Sequence, residues 1–300
     1  MNISSLLKLS YAGLDALLVH RKRPIIGSII VTDRCNLSCK HCAVKNISKI
    51  DYTYAQIKSD METLYSEGVR ILLFYGGEPF LWRDGEMTLR DLVAEARAIG
   101  FAIVNVVTNG TLGLDIPEAD TIMVSLDGCK STHDFIRGET YDTIMKNISG
   151  APARNICLYM AVNQLNKGEI REVCKVSEKM RNVKAISFNF HTPYPGTESL
   201  SLSREDKAIC AKEIMALIEE GYPILNLRSA LPYIAENSFR TPCHQCVIVE
   251  NGEQWTCGRC IEVEGLCENC GFFFAAEISL AFGGNILVLL DLLRTYLKYI

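Results

Sequence analysis

The sequence has no excess of positive charge and no apolar run long enough to cross a membrane. Its 300 residues carry 31 Lys and Arg against 35 Asp and Glu. This balance excludes nucleic acid as the main partner, because phosphate binding needs a basic surface. The longest apolar stretch, 272–293, is interrupted by Glu277, Asn285 and Asp291. It therefore falls short of the roughly 18 uncharged residues that indicate a membrane span.

The amino terminus also lacks the order of a secretory signal, in which positive charges precede the apolar segment. Here the basic cluster 21–23 follows the apolar stretch. We therefore expect a cytoplasmic protein, and its apolar ends allow peripheral contact with a membrane. In a reducing compartment, cysteine pairs are better explained as metal ligands than as disulfides. The chain has thirteen cysteines, so we expect metal centres.

Short apolar runs separated by helical patterns indicate an α/β fold with a parallel sheet, because parallel neighbours need crossover connections. Their near-continuous hydrophobicity is typical of strands that are covered on both faces. The predicted strands are 25–31, 69–74, 102–107, 121–126, 155–162 and 183–190.

The composition divides the chain into four segments. Residues 1–24 predict an amphipathic helix, and 25–240 contain the strand–helix units. Residues 241–271 are rich in cysteine, and 272–300 predict an apolar, amphipathic helix. The two terminal helices would cover the open side of an incomplete barrel, or would contact a membrane surface.

Three cysteines, Cys35, Cys39 and Cys42, lie directly after the first predicted strand. In barrel-like α/β proteins the carboxyl ends of the strands carry the chemistry. Three thiolates hold three irons of a cubane and leave the fourth open, whereas a structural zinc is closed by four ligands. An open iron binds a substrate or cofactor. Zinc completed by a distant fourth ligand is the alternative.

Small and polar residues follow the next three predicted strands, on the same rim as the cysteines. Glycines at a strand end let the backbone approach a ligand closely, and a carboxylate beside them suits a cationic amine. The candidate cofactor-binding residues are Gly76, Gly77, Glu78 and Pro79 after the second strand, Thr108 and Asn109 after the third, Ser125 and Asp127 after the fourth, and Arg137 beyond it.

The Cys-x3-Cys-x2-Cys spacing and these motifs, in this order, resemble the radical S-adenosylmethionine (SAM) superfamily. The resemblance covers about residues 25–195 and implies a partial (β/α)6 TIM-like barrel. It also implies a [4Fe–4S] cluster whose open iron binds SAM, with Glu78 contacting the SAM amino group and Ser125 the ribose. In this family an electron from the cluster cleaves SAM to a 5′-deoxyadenosyl radical.

A second cysteine group near the carboxyl end contains three Cys-x2-Cys pairs. Asn251-Gly252 between the first two pairs predicts a tight hairpin, which would bring thiolates together as in zinc ribbons and rubredoxins. The candidate metal ligands are Cys243, Cys246, Cys257, Cys260, Cys267 and Cys270.

Gly252, five residues before Cys257, resembles the Gly-x4-Cys of SPASM and twitch domains. These extensions of radical SAM enzymes hold auxiliary clusters. The resemblance implies one auxiliary [4Fe–4S] cluster, with zinc or a rubredoxin-type iron as alternatives. Six thiols exceed four ligands, and the sequence does not say which four bind.

The function predicted from these features is removal of a hydrogen atom from an unactivated C–H bond. A lipid or isoprenoid substrate suits the apolar ends of the chain, and a peptide or protein substrate suits the SPASM-like region. An electron donor such as flavodoxin or ferredoxin is expected as a partner. The alternative of another class is a non-catalytic Fe–S or zinc-ribbon interaction protein. No residue is assigned as the substrate acid, base or radical relay, although His191 and Tyr194 end the sixth strand.

Overall fold

The computed structural model describes residues 3–19, 22–42, 51–250 and 252–299. Its strands in chain order are β1 (Ile26–Thr32), β2 (Ile71–Gly76), β3 (Arg83–Asp84), β4 (Met87–Thr88), β5 (Ile103–Thr108), β6 (Thr121–Ser125), β7 (Ile156–Val162), β8 (Val183–Phe190), β9 (Cys246–Glu250) and β10 (Glu253–Thr256). Its helices are α1 (Ile3–Leu18), α2 (Tyr54–Glu67), α3 (Leu89–Ile99), α4 (Lys130–Arg137), α5 (Tyr141–Gly150), α6 (Ile170–Lys179), α7 (Arg204–Glu219), α8 (Leu231–Ala235), α9 (Phe273–Phe282) and α10 (Ile286–Tyr299).

The six predicted strands are present and form one parallel sheet. They correspond to β1, β2, β5, β6, β7 and β8, which lie side by side in chain order. Every residue of β1 is buried, as expected for a strand with helices on one face and a barrel interior on the other. The sheet ends at β8 and does not close, so the predicted partial barrel is confirmed.

The cysteine-rich region continues this sheet at its other edge. β9 pairs in parallel with β1, and β10 pairs antiparallel with β9. The predicted hairpin is therefore present, with Gly252 at φ +74° in its turn; Asn251 lies outside the described residues. Cys246 is level with Ile26, the first residue of β1, so the first pair of the group lies at the amino end of the sheet.

Helix α9 lies against the inner face of the open sheet. Its residues Ala275 and Ile278 pack with the first residues of β1, β2 and β5. Its first residue, Phe273, donates its backbone N–H to Oδ1 of Asn189 in β8 at 2.7 Å. Apolar contact with β1 and a hydrogen bond to β8 place α9 across the opening that the sheet leaves.

The carboxyl-terminal segment contains two helices where the sequence predicts one over 272–300. Gly283 and Gly284 separate α9 from α10, and Gly284 has a φ of +99°, a conformation that ends helices. The sequence pattern places Glu277 on the polar side of a single helix. The structure instead buries Glu277, because α9 turns it toward the barrel interior.

The helix predicted at the amino terminus is α1. Leu9 of α1 and Leu292 of α10 pack against the same apolar cluster at the amino end of the sheet. Both helices also present apolar side chains to solvent. The exposed residues are Leu7, Tyr11, Leu14 and Leu18 on α1, and Ile286, Leu287, Leu290, Leu293 and Leu297 on α10. No helix in the described part of the chain has the length and apolar character that crossing a bilayer requires.

Gly271, at the end of the cysteine-rich segment, packs closely against the end of β8. We expect Gly271→Ala to destabilise the protein. An added Cβ would lie 2.0 Å from the Phe190 carbonyl oxygen, so β8 and the chain before α9 must move apart. We expect a loss of about 2–3 kcal/mol, since such overpacking is among the more damaging single changes. Urea unfolding under nitrogen measures the loss.

Gly150→Ala is the matched control, because an added Cβ there meets no atom within 4 Å. Its free energy of unfolding should stay within about 0.5 kcal/mol of wild type. Equal stability of the two variants would contradict the close approach at Gly271.

Candidate active site

The three-cysteine loop follows the carboxyl end of β1 and borders one large cavity. Cys35, Cys39 and Cys42 all line this cavity, whose volume is about 470 Å³. The backbone N–H of Lys40 donates to the carbonyl of Ile136 in α4 at 3.0 Å. The loop is thus held at the rim of the cavity by a neighbouring strand–helix unit. The three cysteines lie together at this rim.

Hydrogen-bond donors face two of these three sulfurs. The backbone N–H of Leu37 lies 3.4 Å from Sγ of Cys35, and Nδ2 of Asn109 lies 3.9 Å from the same atom. Nη1 of Arg137 lies 3.8 Å from Sγ of Cys39. Burial raises the pKa of Cys35, and the Leu37 N–H opposes that rise. Donors of this kind and a guanidinium favour the thiolate, which is the form that an iron–sulfur cluster requires.

Glu78 lies behind the cavity wall and joins two of the predicted motifs. Its carboxylate accepts hydrogen bonds from Thr108 Oγ1 at 2.8 Å, from the Asn109 N–H at 2.7 Å and from the Phe80 N–H at 3.1 Å. Burial raises the pKa of Glu78, and these hydrogen bonds oppose that rise. Both oxygens are engaged, so Glu78 fixes the position of Asn109, which faces Cys35.

Gly76 and Gly77 line the cavity where β2 ends beside the cysteine loop. A Cβ at Gly76 would lie 2.1 Å from the carbonyl oxygen of Thr32, and one at Gly77 would lie 2.2 Å from that of Arg34. Pro79 is buried and begins a short 3₁₀ turn away from the cavity. The glycines let the chain after β2 approach the chain after β1, which leaves backbone on the cavity surface.

Asp127 and Arg137 form a buried pair beside the cysteines. Nε of Arg137 donates to Oδ2 of Asp127 at 2.5 Å, and the Ala161 N–H donates to Oδ1 at 2.9 Å. Although burial alone would raise the pKa of Asp127, Arg137 and His41 hold it below its ordinary value. Asp127 therefore orients Arg137 toward Cys39, and it is not itself on the cavity surface.

Thr108, Asn109, Ser125 and Arg137 are the other predicted residues that line the cavity. Strand residues with inward side chains join them, and no sequence motif marks these residues. They include Tyr75, Asn105, Met123, Tyr159 and Asn189. Alternation of inward and outward side chains along each strand could have identified them, but strands that are buried on both faces lack a clear hydrophobic–polar alternation. His191 and Tyr194, at the end of β8, also reach the cavity.

The cavity continues from the rim to the amino end of the sheet, where its walls are mainly apolar. β1 spans about 20 Å between these levels at ~3.3 Å per residue. The apolar lining residues at the far end are Ile26, Ile71, Phe272, Phe274, Ile278 and Leu292, and Thr121 and Lys184 are polar lining residues at this end. A molecule in this cavity would contact polar groups near Cys35 and hydrocarbon below.

The six carboxyl-terminal cysteines lie between the β9–β10 hairpin and β8. Cys243, Cys246 and Cys257 meet at the start of the hairpin, where the Cys257 N–H donates to the Cys246 carbonyl at 2.7 Å. Cys270 interacts electrostatically with Cys246 and Cys257. Cys257 and Cys260 reach the cavity, and Cys260 also contacts Tyr194.

Among the described residues, no three His, Cys, Asp or Glu side chains are placed to hold one metal ion. Zinc binds thiolates at about 2.3 Å, whereas a [4Fe–4S] cluster distributes its ligands over separate irons.

Comparison with known proteins gives a family match over this site. The model described as "Radical SAM superfamily" matches residues 29–177. Fe-coproporphyrin III synthase of Methanosarcina barkeri is 30% identical over 224 residues, which are 67% of this chain and 54% of that protein. The sporulation killing factor maturation protein SkfB of Bacillus subtilis is 27% identical over 203 residues, which are 64% of this chain and 46% of SkfB.

Among solved structures, SuiB of Streptococcus suis bound to S-adenosylmethionine has a TM-score of 0.65 at 13% identity, covering 90% of this chain and 66% of SuiB. SuiB bound to its precursor peptide SuiA has a TM-score of 0.63 at 13% identity, covering 94% of this chain and 69% of SuiB. These likenesses concern the fold. The chain spans about half the length of the two curated relatives.

The carboxyl of Glu277 makes the stability depend on pH. Burial raises its pKa from 4.5 to about 7, although hydrogen bonds from the Leu227 N–H and the Asn226 amide oppose this. Between these pH values the folded chain holds a proton that the unfolded chain releases, so stability falls as the pH rises. From pH 5 to pH 8, wild type should lose about 2.5 kcal/mol relative to Glu277→Gln, as measured by urea unfolding at each pH.

Glu264→Gln serves as the control, since Glu264 is exposed. Its pH profile should follow that of wild type. A Glu277→Gln profile parallel to wild type would contradict the buried, protonated state of this carboxyl.

Proposed function

The chain contains a radical SAM domain and belongs to the radical SAM superfamily, and from this we propose that Cys35, Cys39 and Cys42 hold its [4Fe–4S] cluster at the cavity rim. The donors that face Cys35 and Cys39 support this assignment. With SAM bound, the reduced cluster supplies the 5′-deoxyadenosyl radical of this superfamily. As a radical SAM enzyme, the chain does not fit the non-catalytic alternative.

We propose that SAM lies along the polar rim of the cavity. The backbone of Gly76 and Gly77 and the side chains of Asn109 and Ser125 are the contacts available there. Glu78 and Asp127 act from behind the wall, since their oxygens already accept hydrogen bonds from the chain. Glu78 holds Asn109 in place. Asp127 acts in the same way by holding Arg137.

The apolar lower cavity is the observation that carries the substrate class. We propose that an apolar molecule of the lipid or isoprenoid type occupies it, with the reacting C–H bond near the rim. The cavity would hold this C–H bond where the radical supplied by SAM would take its hydrogen atom, giving 5′-deoxyadenosine and a substrate radical. The walls keep water from the substrate radical, and protection of this kind is what a closed cavity provides to reactive intermediates.

We propose that the auxiliary centre is a [4Fe–4S] cluster on Cys243, Cys246, Cys257 and Cys270. The first three meet at the start of the hairpin, and Cys270 interacts with two of them. Cys260 contacts Tyr194 and also interacts electrostatically with Cys257, Cys267 and Cys270. Cys246 is level with the first residue of β1, whereas Cys270 precedes Gly271, whose carbonyl accepts the N–H of Phe190 at the carboxyl end of β8.

The exposed stripes of α1 and α10 support contact with a membrane surface. Their inner faces reach the same apolar cluster, and Leu292, Thr295 and Tyr299 of α10 line the cavity. An apolar substrate thus has a short path from lipid to the cavity through this wall. Amphipathic helices of this type lie in the interface with their apolar face buried.

A peptide substrate is the second candidate. It is favoured by the similarity to SkfB, a maturation protein, and to SuiB, which has been solved with its precursor peptide. The similarity to Fe-coproporphyrin III synthase favours neither substrate. Vesicle binding separates the two candidates, since a peptide-modifying enzyme has no need of the apolar stripes.

Iron content and SAM cleavage test the two centres. We expect about eight irons per wild-type chain and about four in Cys35→Ala/Cys39→Ala/Cys42→Ala, because each cubane holds four. That variant should form no 5′-deoxyadenosine from SAM and dithionite. The measurement is anaerobic reconstitution followed by iron analysis and chromatography of the nucleoside.

Variants at the other cysteines complete this experiment. Cys243→Ala/Cys246→Ala/Cys257→Ala should keep about four irons and still release 5′-deoxyadenosine. Cys174→Ala/Cys210→Ala, which changes two buried thiols outside both groups, should match wild type. No 5′-deoxyadenosine from fully loaded wild type would refute the proposed activity, and one zinc in place of four irons would make the second centre structural.

Vesicle sedimentation tests the membrane contact. Leu287→Lys/Leu290→Lys/Leu293→Lys should weaken binding to phosphatidylcholine–phosphatidylglycerol vesicles about tenfold or more, since burial of each leucine contributes ~1 kcal/mol or more. Ile209→Lys is the control, because Ile209 is an exposed apolar residue on α7 outside both stripes. Equal sedimentation of all three proteins would contradict membrane contact and favour the peptide substrate.

A further inference from the structure

Glu277 is the one acidic residue of α9, and it faces the cavity. The other nine residues of this helix are apolar except for Ser279. Glu277 is 8% exposed and belongs to the cavity lining. A carboxyl in such a place is costly unless something compensates it, so its role needs a physical explanation.

The carboxyl is held firmly through one of its oxygens. Oε1 accepts the Leu227 N–H at 2.8 Å and Nδ2 of Asn226 at 3.4 Å. Asn226 is itself fixed, because its Oδ1 accepts the Phe188 N–H at 2.7 Å and its Nδ2 donates to the Phe188 carbonyl at 3.1 Å. No described residue donates to Oε2, and the side chain lies on the cavity surface. The second oxygen is thus available to a ligand.

Among the described residues that line the cavity, no Lys or Arg side chain forms an ion pair with this carboxyl. The Lys and Arg side chains that line the cavity, among the described residues, are Arg137, Arg259 and Lys184. Both arginines already pair with other carboxylates, and no ion pair joins Lys184 to Glu277. A buried carboxylate without a partner is unfavourable, and a cationic ligand would remove that cost.

Resting on the proposed function, we propose that Glu277 binds a protonated amine of an otherwise apolar substrate, below the rim of the cavity. The apolar walls take the hydrocarbon body, and Glu277 with Asn226 forms the polar end of the site. This arrangement selects amphiphilic amines over alcohols and acids of equal length. It also fixes how deeply the substrate enters, and hence which carbon lies near the rim.

The depth of this site follows from β8. Asn226, which donates to Glu277, is level with Phe188, two residues before the strand ends at Phe190. Two residues of strand span about 7 Å. The amine would therefore lie about this distance below the rim along the strand, with the reacting carbon several bonds away from it.

The ionisation behaviour of Glu277 is consistent with this role. Burial raises its pKa to about 7. The carboxyl is therefore largely neutral at mildly acidic pH when no cation is bound. A cationic ligand favours the ionised form. Amine binding should therefore strengthen as the pH rises from 6 to 8.

Calorimetric binding of n-decylamine, n-decanol and n-decanoate to the cluster-loaded protein with SAM tests the proposal. Wild type should bind decylamine at least about tenfold more tightly than the other two, because only the amine pairs with the carboxylate. Glu277→Gln keeps an oxygen acceptor for the Leu227 N–H but removes the charge. It should lose the preference for the amine, whereas Glu264→Gln should retain it.

Each result decides one point. Equal binding of the three probes, no binding of any probe, or an unchanged preference in Glu277→Gln overturns the amine site. Iron content and 5′-deoxyadenosine formation are measured on the same preparations. If the amine site fails but wild type contains its irons and forms 5′-deoxyadenosine, the radical activity stands without the amine site. If wild type forms no 5′-deoxyadenosine, the proposed function itself fails. Thermal melts confirm that Glu277→Gln is folded.

Discussion

The open side of the parallel sheet is the constraint on which the other features depend. Six strands do not close a barrel, so the apolar inner faces of β1, β2 and β5 would meet water without further cover. Two elements from the carboxyl-terminal part of the chain solve this problem. The β9–β10 hairpin extends the edge at β1, and α9 crosses the opening. What remains between them is a cavity with a polar rim and an apolar interior. The same cover thus creates the space in which we place the substrate.

Buried carboxylates organise the rim from behind its surface. Glu78 accepts hydrogen bonds from both residues of the Thr108–Asn109 pair, and Asp127 holds Arg137. Asn109 and Arg137 in turn face the sulfurs of Cys35 and Cys39. Buried charges persist only when they are paired and hydrogen-bonded, and here that requirement fixes the donors that face the thiolates. The electrostatic surroundings of the cysteine loop therefore come from the ends of β2, β5 and β6 and from α4 rather than from the loop alone.

The two cysteine groups share one cavity, and Cys35 and Cys246 lie at opposite ends of β1. Cys35 follows the carboxyl end of β1, while Cys246 is level with its first residue. A substrate between them contacts the SAM site at one end and α9 at the other. Glu277 is the polar exception in that apolar wall, and the exposed stripes of α1 and α10 lie just outside it. The route of substrate entry, its depth and its polarity are thus properties of the terminal helices.

The sequence by itself determined the parallel sheet, the order of its six strands and the radical SAM motifs at their ends. These features are local, because β-branched runs, glycine pairs and cysteine spacing act within a few residues. It also predicted the hairpin between the cysteine pairs from its turn residues. Only the tertiary structure decided that Glu78 and Asp127 lie behind the cavity wall. Glu78 accepts a hydrogen bond from Asn109, and Asp127 accepts one from Ala161, and each donor is more than 30 residues away along the chain. The tertiary structure also decided that the last segment is two helices and that Glu277 is buried. A helical wheel separates polar from apolar faces, but which face meets the barrel depends on the opening between β1 and β8, and that opening exists only once the sheet has formed.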